Sequence, residues 1–182
     1  FKRQHGAFKW GPYATENFGS HYGFIENGVI LSKLQPGLST IYILTDGTVG
    51  MKTWTKADDI LLPRMRFARQ NGVPLVHRDP DTGVPVPGDL VTRWGPGNWS
   101  GSAQAELRTL RAGACMAHTP SGGRYLVYGY FSTATPSAMA RTFQAYGCDY
   151  AMLLDMNSPE LTYMAYFQQN ARGDGVTGSH LS

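Results

Sequence analysis

Two dipeptides constrain this chain more than any other feature. Asn27-Gly28 lies between residues 22–26 and 29–32, and Asp46-Gly47 lies between residues 40–45 and 49–53. Asn-Gly and Asp-Gly supply the positive φ angles of tight hairpin turns, and the flanking runs are short and rich in β-branched and aromatic residues. Each segment is expected to form an antiparallel hairpin, which makes the N-terminal half mostly antiparallel sheet. The 22 Gly, 11 Pro and 10 Tyr of the chain point the same way, towards turns, short strands and aromatic packing rather than long helices.

The pattern changes after Asp58-Asp59, where Leu61, Met65 and Ala68 are spaced as one helix face and Asn71-Gly72 offers a left-handed stop. Pro63 sits awkwardly inside that helix, and Arg64, Arg66 and Arg69 read as its solvated side. Residues 73–77 are expected to be a strand. Residues 79–101 read as one long loop, in which Asn98-Trp99-Ser100 is a chance glycosylation match. Residues 1–20, rich in aromatics and glycine, read as a structured loop over the core.

The C-terminal third has the clearest grammar. Residues 111–118 and 124–130 are expected strands joined across a turn-rich Thr119-Pro-Ser-Gly-Gly123. A helix follows with Thr135 as N-cap, Pro136 at its first position, Met139, Phe143 and Tyr146 on one face, and Gly147 as its stop. Residues 150–154 are expected to be the last well-defined strand. Strand, helix and strand in this order predict a right-handed crossover between parallel strands. The expected fold is therefore α+β: a single domain over residues 1–182, with a mixed, mostly antiparallel sheet, hairpins and a C-terminal strand-helix-strand crossover.

Length and composition remove several classes of function. A chain of 182 residues with 42% hydrophobic and 16% charged residues buries one substantial core and does not suit disorder. The formal charge of +3 is too small, and the 16 Lys and Arg too scattered, to signal nucleic acid. No segment approaches the roughly 20 apolar residues of a membrane span. Phe1 opens no basic or apolar leader, so the expectation is a piece of a larger polypeptide without a targeting segment here. Cys115 and Cys148 have no metal-ligand spacing; on the residues alone, two buried thiols and a disulfide both fit, with thiols the plainer reading. His21, His77 and His118 fall on separate elements, so neither metal nor cofactor is assigned.

Asp155, the first polar residue after Tyr150-Ala-Met-Leu-Leu154, is expected to emerge beside the exposed amides of the helix that starts at Pro136. Ser132, Thr133, Thr135 and Ser137 surround that helix start with hydroxyls suited to an anion or a sugar. Against this stands the plain reading that Asp155 and the hydroxyls only cap a turn and a helix.

The run from Arg111-Ala-Gly-Ala-Cys-Met to Ala-Tyr-Gly-Cys-Asp-Tyr-Ala-Met-Leu-Leu-Asp155 resembles the phosphodiester glycosidase domain. That family includes the lysosomal enzyme that removes N-acetylglucosamine from a mannose phosphodiester, and many exported bacterial proteins. Its signatures look like an early Asn-Gly-Gly-Phe, an Arg-Thr-Ala-type strand and a strand ending in Leu-Asp-Gly-Gly-Gly-Ser. Here His5-Gly6-Ala7-Phe8, Arg111-Ala112 and Leu154-Asp155-Met156-Asn157-Ser158 stand in those places, in the same order over nearly the whole chain. Arg111 and Asp155 match. His5 and Asn157 occupy site positions by place only, and Met156-Asn157 replaces glycines whose amides could approach a phosphate. The resemblance implies an extracytoplasmic compartment, secreted, periplasmic or lumenal. There a Cys115–Cys148 bridge becomes possible, and the two cysteines are expected within bridging distance.

The implied activity is hydrolysis of a sugar 1-phosphodiester on an exported or envelope glycan. Asp155 would face positive charge developing on the sugar, and Arg111 would bind phosphate through its planar fork. Glu160 and His5 are the candidates for activating water. The competing reading is a non-catalytic carbohydrate-binding or envelope-associated interaction module, in which Trp10, Trp54, Trp94 and Trp99 stack on sugar faces unless they belong to the core.

Overall fold

The computed structural model describes residues 23–89, 91, 108–156 and 164–180. The expected N-terminal loop over residues 1–20 and most of the second half of the 79–101 loop lie outside these residues. The first hairpin joins β1 (Phe24–Glu26) to β2 (Val29–Ser32), and Asn27 and Gly28 take φ of 48° and 80°, both positive as a two-residue turn demands. The second joins β3 (Ser39–Leu44) to β4 (Val49–Thr53) through a longer loop over residues 45–48. Only Gly47 is left-handed there, and the Asp46 carboxylate accepts from the Thr48 amide at 2.9 Å. Asp-Gly thus closed the hairpin by a different turn from Asn-Gly.

The expected helix after Asp58 is absent. A 3-10 helix spans Lys56–Arg64, and β5 (Met65–Gln70) follows at once as the central strand of a sheet ordered β2-β1-β5-β3-β4. Pro63 disfavours α geometry in the residue before it, while Met65, Ala68 and Gln70 are buried on a strand flanked by two others. Arg64 and Arg66 are exposed, but at the end of a 3-10 helix and on a strand rather than along the side of the expected helix. Arg69 is half-buried, with its guanidinium over the Phe24 ring and paired to Glu26 at 3.2 Å.

The chain then crosses to a second sheet. It contains β6 (Pro74–Arg78), β7 (Pro85–Pro87), β8 (Thr109–His118), β9 (Arg124–Ala134) and β10 (Cys148–Met156), in the order β7-β6-β10-β8-β9. β7 interrupts what the sequence presented as continuous loop. A helix, α1 (Pro136–Ala145), links β9 to β10. These two strands run the same way, but β8 lies between them, so the expected parallel relation exists without parallel neighbours. Every ladder among the described residues is antiparallel, and the fold is α+β with strand predominating.

The two sheets and α1 stack in layers. Tyr150 faces the first sheet, where its phenol oxygen lies 2.9 Å from Ser39 Oγ and 2.8 Å from Thr53 Oγ1. The opposite face of the second sheet packs on Met139, Ala140 and Phe143 of α1, together with Cys115, Ala151 and Leu153. Gly113 and Gly129 are cross-strand partners; a Cβ on Gly113 would collide with the Phe143 ring, and one on Gly129 would collide with the Phe131 ring and crowd Phe143. Tyr146, expected on the buried face of α1, is instead exposed; Pro136 and Ala140 complete that face. Cys115 and Cys148, both fully buried, form a disulfide with Cα atoms 5.8 Å apart, tying β8 to β10.

β10 is not the last strand. β11 (Ala165–Gln169) and β12 (Val176–His180) pair as a separate two-stranded ribbon with Tyr166, Phe167 and Val176 exposed. No helix among the described residues is long and apolar enough to cross a membrane.

Candidate functional site

The antiparallel ladders bring three chain segments to one corner of the second sheet. β8 enters there, β9 and β10 end there, and α1 starts there: Thr109 pairs with Ala134, and Arg111 stands opposite Met156. Arg111 and Asp155, separated by 44 positions in sequence, thus share a corner because β8 and β10 are direct neighbours.

Arg111 is wholly buried, an unusual place for a guanidinium. Its Nε donates to the Ala134 carbonyl at 2.9 Å, so contact with any further group must use its terminal nitrogens. Burial pushes its pKa down to about 10, which still leaves it charged at neutral pH. This differs from an arginine simply lining an open cleft. The charge belongs to the interior of the corner.

Thr135 caps α1, its Oγ1 accepting from the Ala138 amide at 3.2 Å. Ser137 is half-buried in the first helical turn, while Ser132 and Thr133 are exposed near the end of β9. Asp155 belongs to β10. The ladder between β10 and β8 carries an extra residue between Leu153 and Met156, so Leu154 and Asp155 fall within a β-bulge. His5, Asn157 and Glu160 lie outside the described residues.

The corner is also held from the first sheet. Asn71, in the link between β5 and β6, donates through Nδ2 to the carbonyls of Leu153 and Leu154 at 2.8 and 2.6 Å. The sequence marked Asn71 only as a helix stop. No local pattern announces a partner 82 residues away.

Elsewhere, Trp54 is a core residue, fully buried with its Nε1 on Asp59 at 3.1 Å, and so cannot stack on a sugar. Trp10, Trp94 and Trp99 lie outside the described residues. His118 pairs with Asp149, which also receives Arg78 at 2.5 Å, at the opposite end of β10 from Asp155. Among the described residues no three His, Cys, Asp or Glu side chains gather as a metal site. An apolar hollow lined by Ile41, Ile43, Val49, Phe67 and Leu126 includes none of the site residues expected from sequence. No model of a protein family matches the chain, and a search of curated proteins finds no match.

Proposed function

We propose that this corner binds a sugar 1-phosphodiester and hydrolyses its anomeric C–O bond, in an exported or lumenal setting. The observation that carries the reading is the buried Arg111 charge beside the α1 start, opposite Met156 and one residue from Asp155 in register. A guanidinium presents a planar fork of N–H donors that matches two phosphate oxygens, and such charge-assisted hydrogen bonds are strongest in a corner of low dielectric. In the reaction, the anomeric C–O bond breaks and water adds to the sugar carbon. Positive charge grows on the sugar, where the Asp155 carboxylate stabilises it. Negative charge grows on the departing phosphomonoester, where Arg111 and helix amides stabilise it. Such a leaving group needs little protonation. Glu160 and His5 are the proposed water activators. The disulfide is compatible with the compartment.

A binding module without turnover is the second reading, favoured by Tyr125 and Tyr130 of β9, which are 58% and 48% exposed and offer ring faces to a sugar. One experiment separates the two. The methyl diester of N-acetylglucosamine 1-phosphate is incubated with the protein, and free sugar is measured. Hydrolysis by the parent chain, lost in Asp155→Asn with the melting temperature nearly unchanged, supports the enzyme. Binding of the diester without release supports the module, and equal turnover by Asp155→Asn removes Asp155 from the mechanism.

A further inference from the structure

We infer that Asn71 is the positioning residue for Asp155, an inference that rests on the reading of Asp155 as the site carboxylate. In a regular strand, consecutive carbonyls point to opposite sides, so one side chain does not reach both. Here a single amide nitrogen reaches the carbonyls of Leu153 and Leu154, at 2.8 and 2.6 Å, using its two hydrogens. The strand is turned at this point. The turn coincides with the bulge, where Leu153 still faces Gly113 but Met156 faces Arg111.

The other neighbour of β10 explains why a side chain is needed. Pairing to β6 ends at Met152 opposite Pro74, because the chain between β5 and β6 is leaving for the first sheet. Carbonyls beyond Met152 have lost that ladder, and a partly buried carbonyl without a donor costs roughly 1–3 kcal/mol. Asn71 takes over from the ladder. It is itself fixed, since its own amide donates to the Ser39 carbonyl at 3.1 Å and the Ser39 amide donates to Gly72 at 2.8 Å. The clamp thus ties the first sheet to the two peptides that lead into Asp155 along β10.

Displacements of about 1 Å at a reacting group cost on the order of a hundredfold in rate, so Asn71→Ala should lower kcat for the diester roughly ten- to hundredfold with KM within about threefold. A second readout needs no substrate: the carboxyl 13C resonance of Asp155 is titrated by NMR in the parent, Asn71→Ala and Asn71→Ser. The midpoint of Asp155 should differ between the parent and Asn71→Ala, with Asn71→Ser, which retains one donor, in between. An Asp155 midpoint identical in all three proteins overturns the assignment, whatever the turnover. A moved midpoint in a parent chain that hydrolyses nothing upholds the clamp and counts against the hydrolase reading alone. If Asn71→Ala does not fold, the Asn71→Ser titration decides by the same criterion.

Discussion

A buried arginine and a strand-end aspartate carry the chemistry proposed for this chain, and each is legible to a different degree. Arg111 opens a run of small residues, Ala-Gly-Ala-Cys, in which a charged side chain stands out. Its depth was not visible, because burial arises from β9, β10 and α1 closing around one corner. The planar fork of arginine matches two phosphate oxygens at once, whereas lysine offers a point charge. Arg111→Lys is therefore expected to weaken binding of N-acetylglucosamine 1-phosphate at least about tenfold while barely changing binding of the free sugar, as titration calorimetry measures. Equal losses for both ligands would separate Arg111 from anion recognition.

At the scale of elements, turns and caps were readable and the choice between helical and strand period was not. Thr135, Pro136 and Gly147 bounded α1 because each acts on its own backbone, and Asn27-Gly28 closed its hairpin for the same reason. Residues 56–70 misled, since Leu61, Met65 and Ala68 match a helical face by coincidence while tertiary pairing drew β5 between β1 and β3. The β11–β12 ribbon escaped notice because its exposed apolar residues give no one-sided alternation. Gly113 and Gly129 show a more specific link from sequence to packing. Their missing side chains form the flat patch that receives Phe143, which is 5.7 Å edge-to-face from Phe131. In Gly113→Ala the new carbon would lie 2.9 Å from both Met139 Cε and Phe143 Cε2 and 3.0 Å from the Met152 carbonyl oxygen. Overpacking of this kind costs about 1–3 kcal/mol, so urea unfolding should show that loss at unchanged slope. A variant as stable as the parent would mean that α1 can lift from the sheet without cost.

For the molecule as a whole, the question is what keeps two sheets in fixed relation, because Asn71 on one side and Asp155 on the other depend on it. The disulfide ties β8 to β10 within the second sheet and, closing a separation of 33 residues, stabilises by about 3–4 kcal/mol on chain-entropy grounds. Between the sheets, Tyr150 is a principal tie. Burial pushes its phenol up to about 12, against the smaller lowering effect of hydrogen bonds to Ser39 and Thr53. An acid whose folded pKa is raised contributes stability in full below its unfolded value near 10, and loses it as pH rises through about 12. The contribution is on the order of 3 kcal/mol. Arg111 acts in the opposite sense, because its lowered pKa makes the unfolded chain the better proton binder above about pH 10, so stability there rises with pH. A comparison at Tyr150 alone cancels that effect. Tyr150→Phe should be about 1–3 kcal/mol less stable than the parent at pH 8, where Ser39 and Thr53 lose their common partner. Between pH 10 and 12 the gap should narrow, because only the parent loses the Tyr150 contribution. Urea unfolding at pH 8, 10, 11 and 12 measures both quantities, and stability curves that stay parallel across that range would show that Tyr150 is not the alkaline-sensitive tie between the sheets.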